Sequence, residues 1–60
     1  MSFKVGDRVY YIGSDAKIWF DYGNQVLEII ALDAKTRRVV CQTARLDQVV
    51  GIALEDLSKP

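Results

Sequence analysis

The sequence predicts an all-β fold: one small domain, residues 1–60, built as a tightly curled sheet of about five short strands. Three observations carry this. Residues 23–43 hold two runs rich in β-branched side chains on either side of Asp33-Ala34-Lys35-Thr36, which has turn composition, so they read as a β-hairpin. Residues 8–12 and 48–53 have the same strand composition, and Gly and Asp punctuate the chain around them. The chain has sixty residues, half of them hydrophobic, which is enough for a folded core but only one. A domain of this size buries about 60% of its unfolded surface, so its stability is modest.

Residues 3–7 lead into the sheet, with Phe3 and Val5 on one side and Gly6-Asp7 as a turn or bulge signal. Arg8-Val9-Tyr10-Tyr11-Ile12 is the first strand. Alternation places Val9 and Tyr11 on one face, and Arg8, Tyr10 and Ile12 on the other. Valine is the surer core residue, so Val9 is taken inward and Tyr10 toward solvent. Residues 14–24 follow with no clean period of two. Ser14 or Asp15 is able to cap a helical turn over 15–20. The preferred reading is a structured loop anchored by Ile18, Trp19, Phe20 and Tyr22.

The second strand, 25–32, is apolar in both registers: Val26, Ile30 and Leu32 in one, Leu27, Ile29 and Ala31 in the other. Such a strand is central, strongly bent, or part of an interface. The core is expected from Val9, Val26, Ile30, Val39, Val49 and Leu57. Leu27 or Ile29 is then left to meet the 14–24 loop or another copy of the chain, as a weak homo-oligomer. Residues 37–43 form the third strand, with Val39 and Cys41 opposite Arg38, Val40 and Gln42. Residues 44–47 turn the chain, and 48–53 are the fourth strand, with Gly51 at a bulge. Leu54-Glu55-Asp56-Leu57 suits one 3-10 turn. The end of the chain is a last short strand or a tail.

Eight basic and eight acidic residues cancel, which argues against a general nucleic-acid binder. There is no histidine, the commonest general base, and Cys41 is the one cysteine. A disulfide within the chain and a cysteine-based zinc site are therefore both excluded. No metal and no cofactor are expected. The start lacks a long apolar stretch of secretory type, and no run approaches the ~20 apolar residues of a membrane span. A cytoplasmic protein that does not enter a membrane is the plain reading.

Phe3-Lys4-Val5-Gly6-Asp7-Arg8-Val9 resembles the opening of SH3-like barrels, including the KOW-type and Tudor-like domains. Gly23-Asn24-Gln25-Val26-Leu27-Glu28-Ile29 resembles their glycine-led second strand, and Leu54-Glu55-Asp56-Leu57 their closing 3-10 turn. The resemblance implies a closed five-stranded barrel in which residues 14–24 stand where the RT loop would. The Trp-Phe-Asp-Tyr run at 19–22 differs from the Ala-Leu-Tyr-Asp-Tyr motif of true SH3 domains, so proline-rich peptide binding does not carry over.

Two constellations are candidate contacts. Five of the six aromatics lie within residues 10–22, and Tyr10, Trp19, Phe20 and Tyr22 form the candidate partner-binding set. Such side chains stack bases, cage cations or anchor peptides. The bland alternative is that Trp19 and Phe20 fold down as a lid over an open barrel end, and it is the preferred reading for Phe20 and one of the tyrosines. Lys35, Arg37, Arg38 and Arg45 form a block without an acidic residue, and hairpin pairing is expected to bring its two ends together. That block is a second, basic surface for phosphate or an acidic partner; its bland alternative is a solvated edge. Asp7, Asp15 and Asp21 match no cation-binding loop and read as turn residues. The functional expectation is a small non-catalytic binding module or accessory subunit that acts through a protein partner. The alternative is a KOW- or Tudor-like binder of RNA or DNA.

Overall fold

The computed structural model describes residues 2–60. The chain runs through β1 (Arg8–Tyr11), α1 (Ala16–Tyr22), β2 (Leu27–Asp33), β3 (Arg38–Gln42), β4 (Gln48–Ala53), a 3-10 turn (Leu54–Asp56) and β5 (Leu57–Ser58). All pairings are antiparallel, in the order β4-β3-β2-β1-β5. The sheet is open: β4 and β5 are its two edges, and among the described residues no ladder joins them. The small, mostly β domain is as expected, whereas a closed ring of strands is not formed.

Val9 and Tyr11 point inward, and Arg8 and Tyr10 outward. Val9 stands opposite Leu27, and Tyr11 opposite Leu57. Val39, Cys41, Val49 and Ile52 complete the buried face from β3 and β4, where Cys41 pairs with both Ile29 and Val49. Burial pushes the Cys41 thiol up to about 11, so it behaves as a small hydrophobe.

The register of β2 corrects the expected core. Leu27 and Ile29 are wholly buried, while Val26 is 42% exposed and Ile30 only half-buried. Pairing with Val9 on one side and Cys41 on the other commits the Leu27/Ile29 parity to the core. Those two residues therefore need neither a covering loop nor a second copy. Ile30 is the extra residue of a bulge, since Ile29 pairs with Cys41 and Ala31 with Val40. A second bulge faces the same strand. Val39 pairs with Ile52 and Val40 with Val50, which leaves Gly51 over, at φ +82°. Only glycine adopts that conformation without strain.

The expected loop at 14–24 is instead a short helix. Asp15 caps it: its Oδ1 accepts the N–H groups of Lys17 at 2.9 Å and Ile18 at 3.3 Å. Ile18 and Tyr22, four apart on one face, pack against the core. Seven residues are too few for a helix to persist alone, so this docking is what holds it. Gly13 allows the approach: a Cβ there would lie 2.5 Å from Tyr11 Oη and 2.7 Å from Asp56 Cγ.

The termini meet beside β1. Asp7 Oδ2 accepts the Lys4 N–H at 2.9 Å and lies 3.2 Å from Lys59 Nζ. Lys59 in turn stands 5.4 Å from the Phe3 ring centroid. The Lys4 N–H, then Lys59, hold the Asp7 carboxyl below its ordinary 3.8. A depressed carboxylate stabilises the fold above the unfolded value and loses that contribution as pH falls through the folded one. Asp7→Asn is therefore expected to lower the melting temperature at pH 7, with the gap from the parent closing as pH falls below the ordinary 3.8 and through the depressed folded value. Thermal melts across that range check this.

A second expectation follows from the β2 register. Ile29→Ala costs about 2–5 kcal/mol, and Ile30→Ala less than about 1.5 kcal/mol, because only the first opens a cavity in a sealed core. Urea denaturation of both variants checks this; equal costs would contradict the parity.

Candidate functional site

The helix and the β3–β4 turn present the two most solvent-exposed large apolar side chains outside the sheet. Phe20, on the outward side of α1, is 90% exposed. Leu46 is 71% exposed and sits in the turn between β3 and β4 at φ +71°, a left-handed conformation that a branched side chain seldom adopts. Thr43 holds that turn. Its buried Oγ1 accepts the N–H groups of Arg45 and Asp47, each at 3.2 Å, and its own N–H donates to Asp47 O at 2.9 Å. Leu46 N–H closes the turn on Thr43 O at 2.9 Å. Both apolar residues are thus carried on backbone that is already ordered.

A cleft of about 370 Å³ separates the end of α1 from this turn. Asp21 and Tyr22 line it on the helix side, and Arg45 and Asp47 on the turn side. Phe20 and Leu46 are not among the lining residues; each precedes or follows one of them in the chain. Among the described residues no ion pair involves Asp21, Arg45 or Asp47. A neighbouring cleft of about 220 Å³, lined in part by Arg8, Val26 and Glu28, shares Thr43 and Ala44 with the first. Together they extend the concave surface along the point where β2 and β3 stop pairing, beyond Glu28 and Gln42.

The four aromatic candidates have different surroundings. Trp19 leans edge-on against Tyr11, with ring centroids 5.6 Å apart, and its Nε1 donates to Gly13 O. It is nonetheless 39% exposed. Tyr22 is half-buried in the cleft wall. Phe20 projects into solvent, and Tyr10 lies on the outer face of β1, opposite Ser58. No single plane contains all four.

The basic block is split. Arg37 and Arg38 stand at the start of β3, and Arg45 follows its end. From Arg38 to Gln42 the strand runs four residue steps, about 13 Å at 3.3 Å per residue, and Arg45 lies beyond it, so the expected meeting of the two ends does not occur. Pairing joins the start of β3 to the end of β2; it does not bring the ends of one strand together. Arg37 stands 4.0 Å from Glu55, exposed, and Arg38 Nη1 donates to Gly51 O at 2.7 Å. Lys35 lies in the hairpin turn, where its N–H donates to Asp33 Oδ1.

Leu46 was not among the residues singled out from the sequence. The available signal was a lone large apolar residue inside an otherwise small and polar turn. No family model, curated protein or solved structure matches this chain. Among the described residues no helix is long and apolar enough to cross a membrane.

Trp19 and Phe20 separate into structural and exposed roles. Trp19→Ala is expected to cost about 2 kcal/mol of stability, through the lost edge contact and the orphaned Gly13 carbonyl. Phe20→Ala is expected to cost less than about 0.5 kcal/mol. Chemical denaturation of the two variants side by side makes the comparison.

Proposed function

We propose that the chain is a small non-catalytic binding module that engages a protein partner through the cleft between α1 and the β3–β4 turn. The observation that carries this reading is Phe20. A phenylalanine 90% exposed on a capped, docked helix forgoes the burial that a hydrophobic side chain gains, and gains nothing for the fold. Large apolar side chains held rigidly at the rim of a cleft are what anchor protein interfaces, because little entropy is lost when they dock. Leu46, exposed in the turn between the lining residues Arg45 and Asp47, supplies a second anchor. Tyr22 and the charges of Asp21, Arg45 and Asp47 add polar specificity between them.

The protein reading is favoured over binding of RNA or DNA by charge. The chain carries no net charge; three of its four arginines are divided between the two ends of β3, and the fourth, Arg8, is in β1. Affinity for a nucleic-acid backbone grows with the number of phosphates that basic side chains neutralise together. The SH3-like resemblance belongs to the same proposal. The five strands and the 3-10 turn before a final two-residue strand support it, while the sheet is open where the resemblance implies a closed barrel. A cytoplasmic setting suits a free, buried thiol.

Affinity capture with three baits tests the reading: the parent chain, Phe20→Ala and Arg37→Ala. A specific protein partner is expected to be retained by the parent and by Arg37→Ala. Phe20→Ala is expected to weaken that binding by more than about 2 kcal/mol. Loss on Arg37→Ala alone, with steep salt dependence and a nuclease-sensitive partner, would replace the protein reading with the nucleic-acid one.

A further inference from the structure

The outer face of the sheet can be laid out row by row from the strand register. Arg8, Glu28, Gln42 and Gln48 form one row across β1, β2, β3 and β4. Ala31, Val40 and Val50 form the next, and Asp33, Arg38 and Ala53 the third. The middle row is apolar. Val50 is 75% exposed, and a shallow cleft of about 260 Å³ opens beside it, lined in part by Leu32 and Gly51. Both bulges sit against Val40, so the sheet bends at this row.

Asp33 and Arg38 stand opposite one another, yet among the described residues neither belongs to an ion pair. Asp33 Oδ1 is occupied by the N–H groups of Lys35 and Thr36, which leaves Oδ2 for a partner. Arg38 uses Nη1 on Gly51 O, and its guanidinium has further donors.

We infer that this face docks a second copy of the chain, about a two-fold axis running parallel to the strands between β2 and β3. The register selects that axis. It lays each β2 residue over the β3 residue of the same row. Asp33 meets the partner's Arg38, and Arg38 meets the partner's Asp33. Ala31 meets the partner's Val40, small against large. Glu28 meets the partner's Gln42, acceptor against donor. Arg8 falls over the partner's Gln48, so no row sets like charges together. An axis along β3 would instead set Arg38 against itself, and an axis across the strands would set Asp33 against Glu28. The face is thus self-complementary in one arrangement, as an isologous interface requires.

Magnitudes make the dimer weak. Three rows across three strands cover about 300 Å² at ordinary strand spacings, against about 800 Å² per partner in a standard interface. Zero net charge removes the general repulsion between copies that would otherwise oppose it. Pairing through the β4 edge is disfavoured, because the Gly51 bulge interrupts that edge.

Sedimentation equilibrium of the full chain at about 20 µM and about 1 mM tests the proposal. A monomer is expected at the lower concentration and a monomer–dimer equilibrium at the higher. Arg38→Asp is expected to raise the dissociation constant at least tenfold, and so is Val40→Lys, with thermal melts confirming that each is folded. An equimolar mixture of the Arg38→Asp and Asp33→Arg chains is expected to associate although each alone does not, because mixing restores both ion pairs. Asp33 also organises its turn; if its variant does not fold, Arg38→Asp and Val40→Lys decide the matter. A parent chain monomeric at about 1 mM overturns the proposal. So do variants that dimerise as tightly as the parent, or a mixture of folded chains that stays monomeric.

Discussion

Val9 lies directly opposite Leu27, and neither has any exposed surface. The inner face depends on this pair. Once Leu27 is inward, the pleat carries Ile29 inward with it, and Ile29 in turn faces Cys41 and, through it, Val49. A one-residue slip would exchange the whole set for Val26, Glu28 and Ile30, and would drive a carboxylate into the core. Glu28 is therefore the residue that makes the alternative register costly. The bulge at Ile30 then resets the alternation, so that Ala31 and not Ile30 pairs with Val40.

The rest of the domain closes over that face with short pieces, each tied by a particular bond. Tyr11 links three of them. Its ring is buried, its hydroxyl accepts the Asp15 N–H at 3.0 Å, and its edge supports Trp19. The first turn of α1, the close passage of Gly13 and the 3-10 turn beside it all follow from where that ring sits. Among the described residues no buried side-chain polar atom lacks a hydrogen-bond partner, so the small core is sealed without an unsatisfied group. The exposed Arg37–Glu55 approach adds little by comparison.

This economy leaves apolar surface that the fold does not use, and it is divided between two places. One is Phe20 on α1 and Leu46 in the β3–β4 turn, the two elements whose residues line the larger cleft. The other is the apolar row centred on Val40, where the sheet bends, with Asp33 and Arg38 on one side and Arg8 and Glu28 on the other. The first suits a partner with its own projecting side chains, and the second suits a copy of the same face. The two share Arg8, Glu28 and Gln42, which line the smaller cleft and belong to the first row of the sheet's outer face.

The sequence by itself determined most of the strands, because their signals are local. Alternation at 8–12 placed Val9 and Tyr11 inward, turn composition located the hairpin at 33–36, and Gly51 marked its bulge. The 3-10 turn followed from two leucines three residues apart. Phe20 was legible as an aromatic candidate but its exposure was not: the sequence favoured a lid there, and the helix turns the ring into solvent instead. Tertiary structure alone decided the parity of β2, because that strand is apolar on both faces and composition cannot choose between them; its neighbours Val9 and Cys41 chose. It also decided that residues 16–22 are helical. Asp15 advertised a cap, but a seven-residue helix persists only where Ile18 and Tyr22 have a core to dock on. The basic block was contiguous in sequence and separate in space, since an extended strand carries its two ends apart. Leu46 looked ordinary until the turn held it outward at a positive φ, a position set by the buried Thr43 hydroxyl beneath it.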